Sequence, residues 1–216
     1  MVNARVLDQD HNGLVVTGQA HLTIAEAIRW LVSEHHLRVI NLSINRNGPA
    51  DGLLVAELTA TLDQLIRELD VVVVVSTGNR QQTPSNGWLA GYPGYLLDED
   101  AAVAEPGDAA LAVTVGGLAK RDVPGGRQAQ SLVAIAPAGA ASPFTRSGPT
   151  RGHTSAGTLK PEFTHHGGNW AHDHQLGSLH PHDPGIAVIT AIPRPEPASS
   201  AWTPAPATPH LQWLGR

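Results

Sequence analysis

The sequence contains no cysteine, which excludes a disulfide framework, a cysteine-based zinc site and a thiol nucleophile. Charge is also sparse, because charged residues make up only 15% of the chain and its formal net charge is -5. Such a balance provides neither a basic stripe for nucleic acid nor a polybasic patch for membrane lipids. We therefore expect no nucleic-acid partner and no membrane partner.

Long hydrophobic runs are missing as well. No apolar stretch approaches the roughly 20 residues that span a bilayer, and Met1 is followed by Val-Asn-Ala-Arg rather than by the apolar core of a signal peptide. The sequence therefore predicts a cytoplasmic protein, and nothing in it indicates an oligomeric state. Its 216 residues suit one domain with an extension. We predict a domain over residues 1–192 and an irregular Pro/Ala-rich tail over 193–216.

Helical and strand patterns alternate along the first half of the chain. Apolar residues recur at helical spacing over 22–37 and 55–69, and Thr23 followed by Glu26 has the pattern of an N-terminal capping box. Apolar runs predict strands at 38–44, 71–75, 111–117, 131–135 and 185–191. This order predicts the α/β class, with a mostly parallel, doubly wound sheet.

The strand at 71–75 consists of five valines and is followed shortly by Gly78 and Asn79. Parallel sheets collect their functional sites at the C-terminal ends of their strands. Glycine lets a ligand approach the backbone closely, and an asparagine amide can donate two hydrogen bonds to a developing negative charge. Asn79 is therefore the first candidate site residue, although a Gly-Asn pair is also an ordinary turn after a strand.

Six segments in sequence order carry a resemblance to a known family. They are 39–44 (Val-Ile-Asn-Leu-Ser-Ile), 77–79 (Thr-Gly-Asn), 92–93 (Tyr-Pro), 111–117, 144–149 (Phe-Thr-Arg-Ser-Gly-Pro) and 160–162 (Lys-Pro-Glu). Together they resemble the subtilases, the subtilisin-like serine peptidases, over roughly residues 3–192. The resemblance implies a three-layer subtilisin-like fold, serine endopeptidase activity on peptides or unfolded proteins, and no cofactor.

The resemblance also implies roles for individual residues. Asn79 matches the side-chain donor of the family's oxyanion hole. Ser43, Ile44 and Asn45 match the stretch that lines the pocket for the residue before the scissile bond, with Gly78 on the opposite wall. The family usually has glycine where Asn45 stands, so the depth of this pocket is an open point.

The catalytic triad is the main departure from the family. The Asp-containing strand and the His-Gly-Thr helix of subtilases have no counterpart in these 216 residues, and the nucleophile's Gly-Thr-Ser is absent. A loose alignment places Ala205 at the nucleophile position. We therefore expect a subtilisin-like fold that is incomplete at both ends, and a chain that is inactive by itself.

Two alternative functions stay open. A non-catalytic peptide-binding pseudoenzyme would keep the substrate edge and Asn79 without the triad. A histidine-rich metal-binding protein is the weaker alternative, because six histidines cluster without a defined ligand motif, and we expect no functional metal centre. These histidines are His165, His166, His172, His174, His180 and His182.

Overall fold

The computed structural model describes residues 20–50, 55–125, 130–148 and 159–188, together with the backbone of 8–10 and 13–15 and the single positions Val2, Ala4 and Val6. Two α-helices lie in these ranges, α1 (Ala20–His35) and α2 (Glu57–Leu69). The strands are β1 (Asp8–Asp10), β2 (Gly13–Val15), β3 (Val39–Leu42), β4 (Val72–Ser76), β5 (Val113–Leu118), β6 (Leu132–Ala134), β7 (Phe163–His166), β8 (Ala171–Asp173) and β9 (Ser178–His180).

The described chain divides into two compact units. The first comprises Met1–Arg80, Leu96–Gly116 and Arg146–Thr164, and the second comprises Gln81–Tyr95, Gly117–Thr145 and His165–Arg216. The strands form a β1-β2 hairpin, a four-stranded sheet in the order β3-β4-β5-β7 and a three-stranded sheet in the order β6-β8-β9. Among the described helices, none is both long and apolar enough to cross a bilayer.

The core of the first unit lies between one face of its sheet and the two helices. β3 pairs in parallel with β4, and β4 pairs in parallel with β5. Alternate strand residues point toward α1 and α2, and they join the helices in a single apolar cluster. Its central members are Ile24, Ile28, Ile40, Leu42, Leu62, Leu65, Val73 and Val75. Apolar burial on this face therefore holds β3 and β4 against the two helices.

Buried polar contacts attach the 160–162 segment to β5. Lys160 donates from Nζ to the backbone oxygen of Ala112 over 2.7 Å and pairs with the Glu162 carboxylate. Glu162 in turn accepts a hydrogen bond from the backbone N–H of Thr114 at 2.8 Å. A buried charge needs such compensation. The Lys-Pro-Glu motif thus attaches this segment to the chain at the start of β5 in the first unit.

The second unit contains a small antiparallel sheet. β6 pairs with β8, and β8 pairs with β9, both in antiparallel register. Leu132, Ala171 and Ile186 form its buried apolar cluster. Trp170 packs its ring against Trp88 and Phe144, at centroid distances of 4.8 and 4.9 Å.

The predicted α/β class and mostly parallel sheet are confirmed, and both α-helices fall within two residues of their predicted bounds. The strand predicted over 131–135 is present as β6, and it belongs to the antiparallel sheet. Two local predictions are wrong. Residues 185–188 form turns and irregular chain rather than a strand, and 189–191 lie outside the described residues. Thr23 cannot cap α1, because that helix already begins at Ala20.

Candidate functional site

The predicted site residues lie at the C-terminal ends of two neighbouring parallel strands in the first unit. Leu42 ends β3 opposite Val75, so Ser43, Ile44 and Asn45 leave the sheet beside the segment that follows β4. That segment is 77–79, Thr-Gly-Asn. Parallel pairing therefore places the C-terminal ends of both strands, and the two predicted walls of the site, next to each other.

Asn45 joins the two strand ends through its side-chain amide. Its Nδ2 donates to the backbone oxygen of Ser76 at 2.9 Å, and its Oδ1 accepts a short hydrogen bond from the Ser76 hydroxyl. Ser43 accepts a hydrogen bond from the amide of Asn41 at 3.1 Å, while Ile44 packs against the apolar core. The Asn45 amide is thus held between β3 and β4 and does not project freely into solvent.

Gly78 occupies a crowded position that only glycine fits. Its φ is +88°, in the left-handed region. A Cβ atom placed there would lie 2.8 Å from the Cβ of Ala104, 3.2 Å from the Cδ of Arg146 and 3.5 Å from the Cβ of Asn45. Three side chains therefore close around this residue.

Asn79 has a fixed backbone and a half-buried side chain. The backbone oxygen of Asn79 accepts a hydrogen bond from Arg146 Nε at 3.3 Å, and the backbone N–H of Arg146 donates to Gly78 O at 3.2 Å. The neighbouring Thr77 is anchored to Val115 and Ala104 through backbone hydrogen bonds of 3.1 and 2.9 Å. Within the described part of the chain, no hydrogen bond to the Asn79 side-chain amide is found. Hydrogen bonds thus hold the backbone of this segment, while the N–H groups of the Asn79 amide have no acceptor among the described residues.

Two buried arginines, Arg80 and Arg146, lie next to this segment. Arg146 also donates to the backbone oxygens of Asp100 and Ala102, at 2.7 and 3.0 Å. Arg80 pairs with Asp100 at 2.9 Å and with Asp98 at 3.6 Å. Burial lowers the pKa of Arg146, the nearby charge of Arg80 lowers it further, and Asp100 opposes both effects.

The role of Arg146 was not predicted from the sequence, although the residue lies in the Phe-Thr-Arg-Ser-Gly-Pro segment that carries part of the resemblance. A basic residue inside an otherwise uncharged run is the signal that could have indicated burial, since buried charges require partners. The partners of Arg146 are backbone oxygens of Gly78, Asn79, Asp100 and Ala102, and their proximity depends on the tertiary fold.

The remaining candidates lie elsewhere. Ala205 lies outside the described residues. Among the described residues no group of three or more His, Asp or Glu side chains could hold a metal ion. His165 and His166 lie on the exposed strand β7, and His180 is 3.2 Å from the Ser178 hydroxyl. The histidine-rich alternative thus gains no support from the described geometry.

Comparison with known proteins gives relatives of greater length. The chain is 34% identical over 173 residues to the uncharacterized protein y4bN of Sinorhizobium fredii. This alignment covers 76% of this chain and 39% of that protein. Solved structures with some likeness include MycP1 without its N-terminal propeptide (16% identity, TM-score 0.37, covering 80% of this chain and 49% of that one). Another is the prenylagaramide maturation protease PagA (19% identity, TM-score 0.32, covering 49% of this chain and 30% of that one). Likenesses at this level are too distant to transfer a function.

The family model gives a broader match. The model described as the Subtilase family matches residues 15–195, which include both strand ends of the site and the buried Arg146. The chain spans well under two thirds of the length of the proteins compared above. The matched range covers most of the described structure, and on that ground the chain belongs to the subtilase family.

Proposed function

We propose that the edge formed by residues 43–45 and 77–79 binds an extended peptide, and that the Asn79 amide donates a hydrogen bond to the oxygen of the peptide carbonyl at the reacting position. In this role the chain supplies the substrate-binding and oxyanion-stabilising part of a subtilisin-like serine peptidase. An extended peptide adds to the exposed edge of a sheet through main-chain hydrogen bonds, and residues 43–45 continue from β3, an edge strand of the described sheet.

The fixed backbone of Gly78 and Asn79 carries the proposal. Preorganised donors stabilise a developing oxyanion because they need no reorganisation when the charge forms. Arg146 donates hydrogen bonds to both Gly78 O and Asn79 O, so the Asn79 amide belongs to a segment whose backbone is held in place. A backbone fixed by hydrogen bonds, together with a half-buried amide that has no hydrogen bond among the described residues, suits an oxyanion donor better than an ordinary turn.

We propose further that the 216-residue polypeptide does not hydrolyse peptides by itself. Acyl transfer by this family requires an attacking serine and a histidine base that is oriented by an aspartate. The Gly-Thr-Ser segment that would supply the nucleophile is absent from these residues. The same reasoning keeps a peptide-binding pseudoenzyme as the second candidate, because the binding edge does not depend on the triad.

Binding of product-like peptides tests the role of Asn79. A peptide with a free C-terminal carboxylate presents an oxyanion at the reacting position, whereas its carboxamide does not. We expect the carboxylate form to bind more tightly by about tenfold, the usual effect of one hydrogen bond to a charged group. The Asn79→Ala variant should bind both forms equally, as measured by calorimetric titration.

Asn86→Ala is the matched control, since it removes an exposed asparagine amide outside the site. It should leave the preference for the carboxylate unchanged, and both variants should keep the wild-type thermal unfolding temperature. Equal binding of the two peptide forms by the wild-type protein would show that Asn79 is not an oxyanion donor.

The absence of turnover has a separate test. Casein should remain intact after incubation with the purified polypeptide, and a fluorophosphonate probe should label no serine stoichiometrically. Stoichiometric labelling of one serine, together with casein cleavage that disappears on its mutation, would establish a complete active site in these residues.

A further inference from the structure

The space between the two strand ends is filled by side chains of the protein itself. Asn45 reaches from the end of β3 to Ser76 at the end of β4, with both of its amide atoms hydrogen-bonded there. Its Cβ lies 3.5 Å from the position that a Cβ on Gly78 would take. A glycine in place of Asn45 would leave this space open.

A third segment closes the same space from another side. The backbone N–H of Ala104 donates to Thr77 O, and those of Arg46 and Ala50 donate to Glu105 O and Val103 O, each at 2.9 Å. Residues 103–105 are therefore hydrogen-bonded to both chains that leave the sheet. Ala104 directs its Cβ at Gly78, 2.8 Å from the Cβ position of that residue.

We propose that Asn45 is a specificity-determining residue that restricts this site to peptides with glycine or alanine immediately before the reacting carbonyl. The inference rests on the proposed peptide-binding function and specifies its substrate class. The amide of Asn45 and the Cβ of Ala104 occupy the space that a larger side chain of the peptide would need.

The physical reason is the cost of displacing Asn45. A large side chain entering between the strand ends would break both hydrogen bonds between Asn45 and Ser76 and leave their half-buried groups without partners. Moving Ala104 instead would break backbone hydrogen bonds in the packed 103–105 segment. A methyl group requires neither change, so small residues bind without this cost.

Acetylated tetrapeptides with a free carboxylate test the inference when they differ only in the last residue, alanine or phenylalanine. The wild-type protein should bind the alanine peptide at least about tenfold more tightly. In Asn45→Gly the phenylalanine peptide should bind about tenfold more tightly than to the wild type, because a buried aromatic ring gains apolar contact. Binding of the alanine peptide should change by less than about threefold.

Two further variants keep the result interpretable. Asn47→Gly makes the same substitution at an exposed position two residues away and should retain the wild-type selectivity. Asn45→Ala removes the amide but keeps the Cβ near Gly78, so it should fall between the wild type and Asn45→Gly. It also replaces Asn45→Gly if that variant shows no cooperative thermal unfolding.

Failure of the inference differs from failure of the proposed function. Equal binding of the two peptides by the wild-type protein overturns the inference, as does unchanged selectivity in both folded Asn45 variants, even where the carboxylate preference through Asn79 persists. A missing carboxylate preference with intact size selectivity overturns the role of Asn79 alone. Absence of binding to every peptide overturns both.

Discussion

Gly78 illustrates how a single residue determines the geometry of the site. Its left-handed φ and the three side chains around the position that a Cβ atom would take both require glycine. The nearest of these contacts, Ala104, is itself attached by its backbone to Thr77. A side chain at position 78 would therefore have to displace backbone as well as side-chain atoms.

The Gly78→Ala variant should lose about 3 kcal/mol of unfolding free energy, from backbone strain and overpacking combined. Gly48→Ala is a matched control, because Gly48 has a similar φ of +97° but nothing within 4 Å of its Cβ position. It should lose only about 1 kcal/mol, the strain component. Chemical denaturation of both variants measures the difference, and equal losses would show that crowding at Gly78 contributes nothing.

The residues of the site were predictable from sequence in part. The order of motifs indicated Ser43 to Asn45, Gly78 and Asn79, and parallel pairing of β3 with β4 does bring them to one edge. The Asn45 bridge to Ser76 and the support from Arg146 were not predictable. Both depend on which side chains the tertiary fold brings together, and local sequence patterns carry no information about that.

At the scale of elements, the two faces of the parallel sheet differ sharply. Val73 is fully buried against the helices, whereas Val72 and its strand partner Val39 are 48% and 65% exposed on the opposite face. Parallel strands are normally covered on both faces, and their apolar composition reflects this. The exposed valines therefore form an apolar surface on the described part of this sheet.

The double variant Val39→Thr with Val72→Thr should bind less of a dye that reports exposed apolar surface. Threonine keeps the β-branched shape that strands favour, so the free energy of unfolding should stay within about 0.5 kcal/mol of the wild type. Val73→Thr makes the same change on the buried face and should cost about 2 kcal/mol, because it buries a hydroxyl group. Equal losses for the two faces would contradict the assignment of Val39 and Val72 to the exposed face.

The Asp173 carboxylate accepts hydrogen bonds from the backbone of the turn between β8 and β9 and from the Ser131 hydroxyl. Burial raises the pKa of Asp173, but hydrogen bonds from the backbone of Leu176 and Gln175 and from Ser131, together with the charge of His180, outweigh burial and hold that pKa below its usual value. A pKa lowered by folding stabilises the native state above the unfolded value of about 3.9, and the contribution is lost as the pH falls through the folded pKa.

Asp173→Asn should therefore flatten the fall in unfolding free energy of the wild-type protein below about pH 4. Ser131→Ala removes one of the four favourable interactions and should give an intermediate pH profile. Denaturation at a series of pH values measures both profiles. An acid limb identical to that of the wild type in Asp173→Asn would show that Asp173 does not contribute to acid sensitivity.

At the same scale, the sequence predicted the type of an element better than its partner. The periodicity over 22–37 and 55–69 identified α1 and α2 because long amphipathic helices carry a strong signal. The short apolar run at 131–135 indicated a strand but not the sheet to which it belongs. An apolar run of this length fits a parallel or an antiparallel neighbour equally well, so the sequence did not indicate the antiparallel pairing of β6 with β8.

For the whole molecule, the family assignment and the α/β class followed from the sequence, because motif order and element order persist when individual residues change. The division of the described chain into two compact units did not follow, since each unit is assembled from three separate stretches. Such an arrangement depends on contacts between residues far apart in sequence, which composition and periodicity do not report.

The connectivity of the parallel sheet also has a consequence for the time course of folding. Val39 pairs with Val72, and Val74 pairs with Val113. Each pairing joins residues that are far apart in sequence, so it forms only after the helix or long connection between them is in position. Helices α1 and α2 need only local contacts and form within microseconds, whereas distant strand pairings form slowly. During that interval the valine-rich strands are open to other chains. Dilute, slow refolding should therefore recover more native protein than rapid refolding at high concentration.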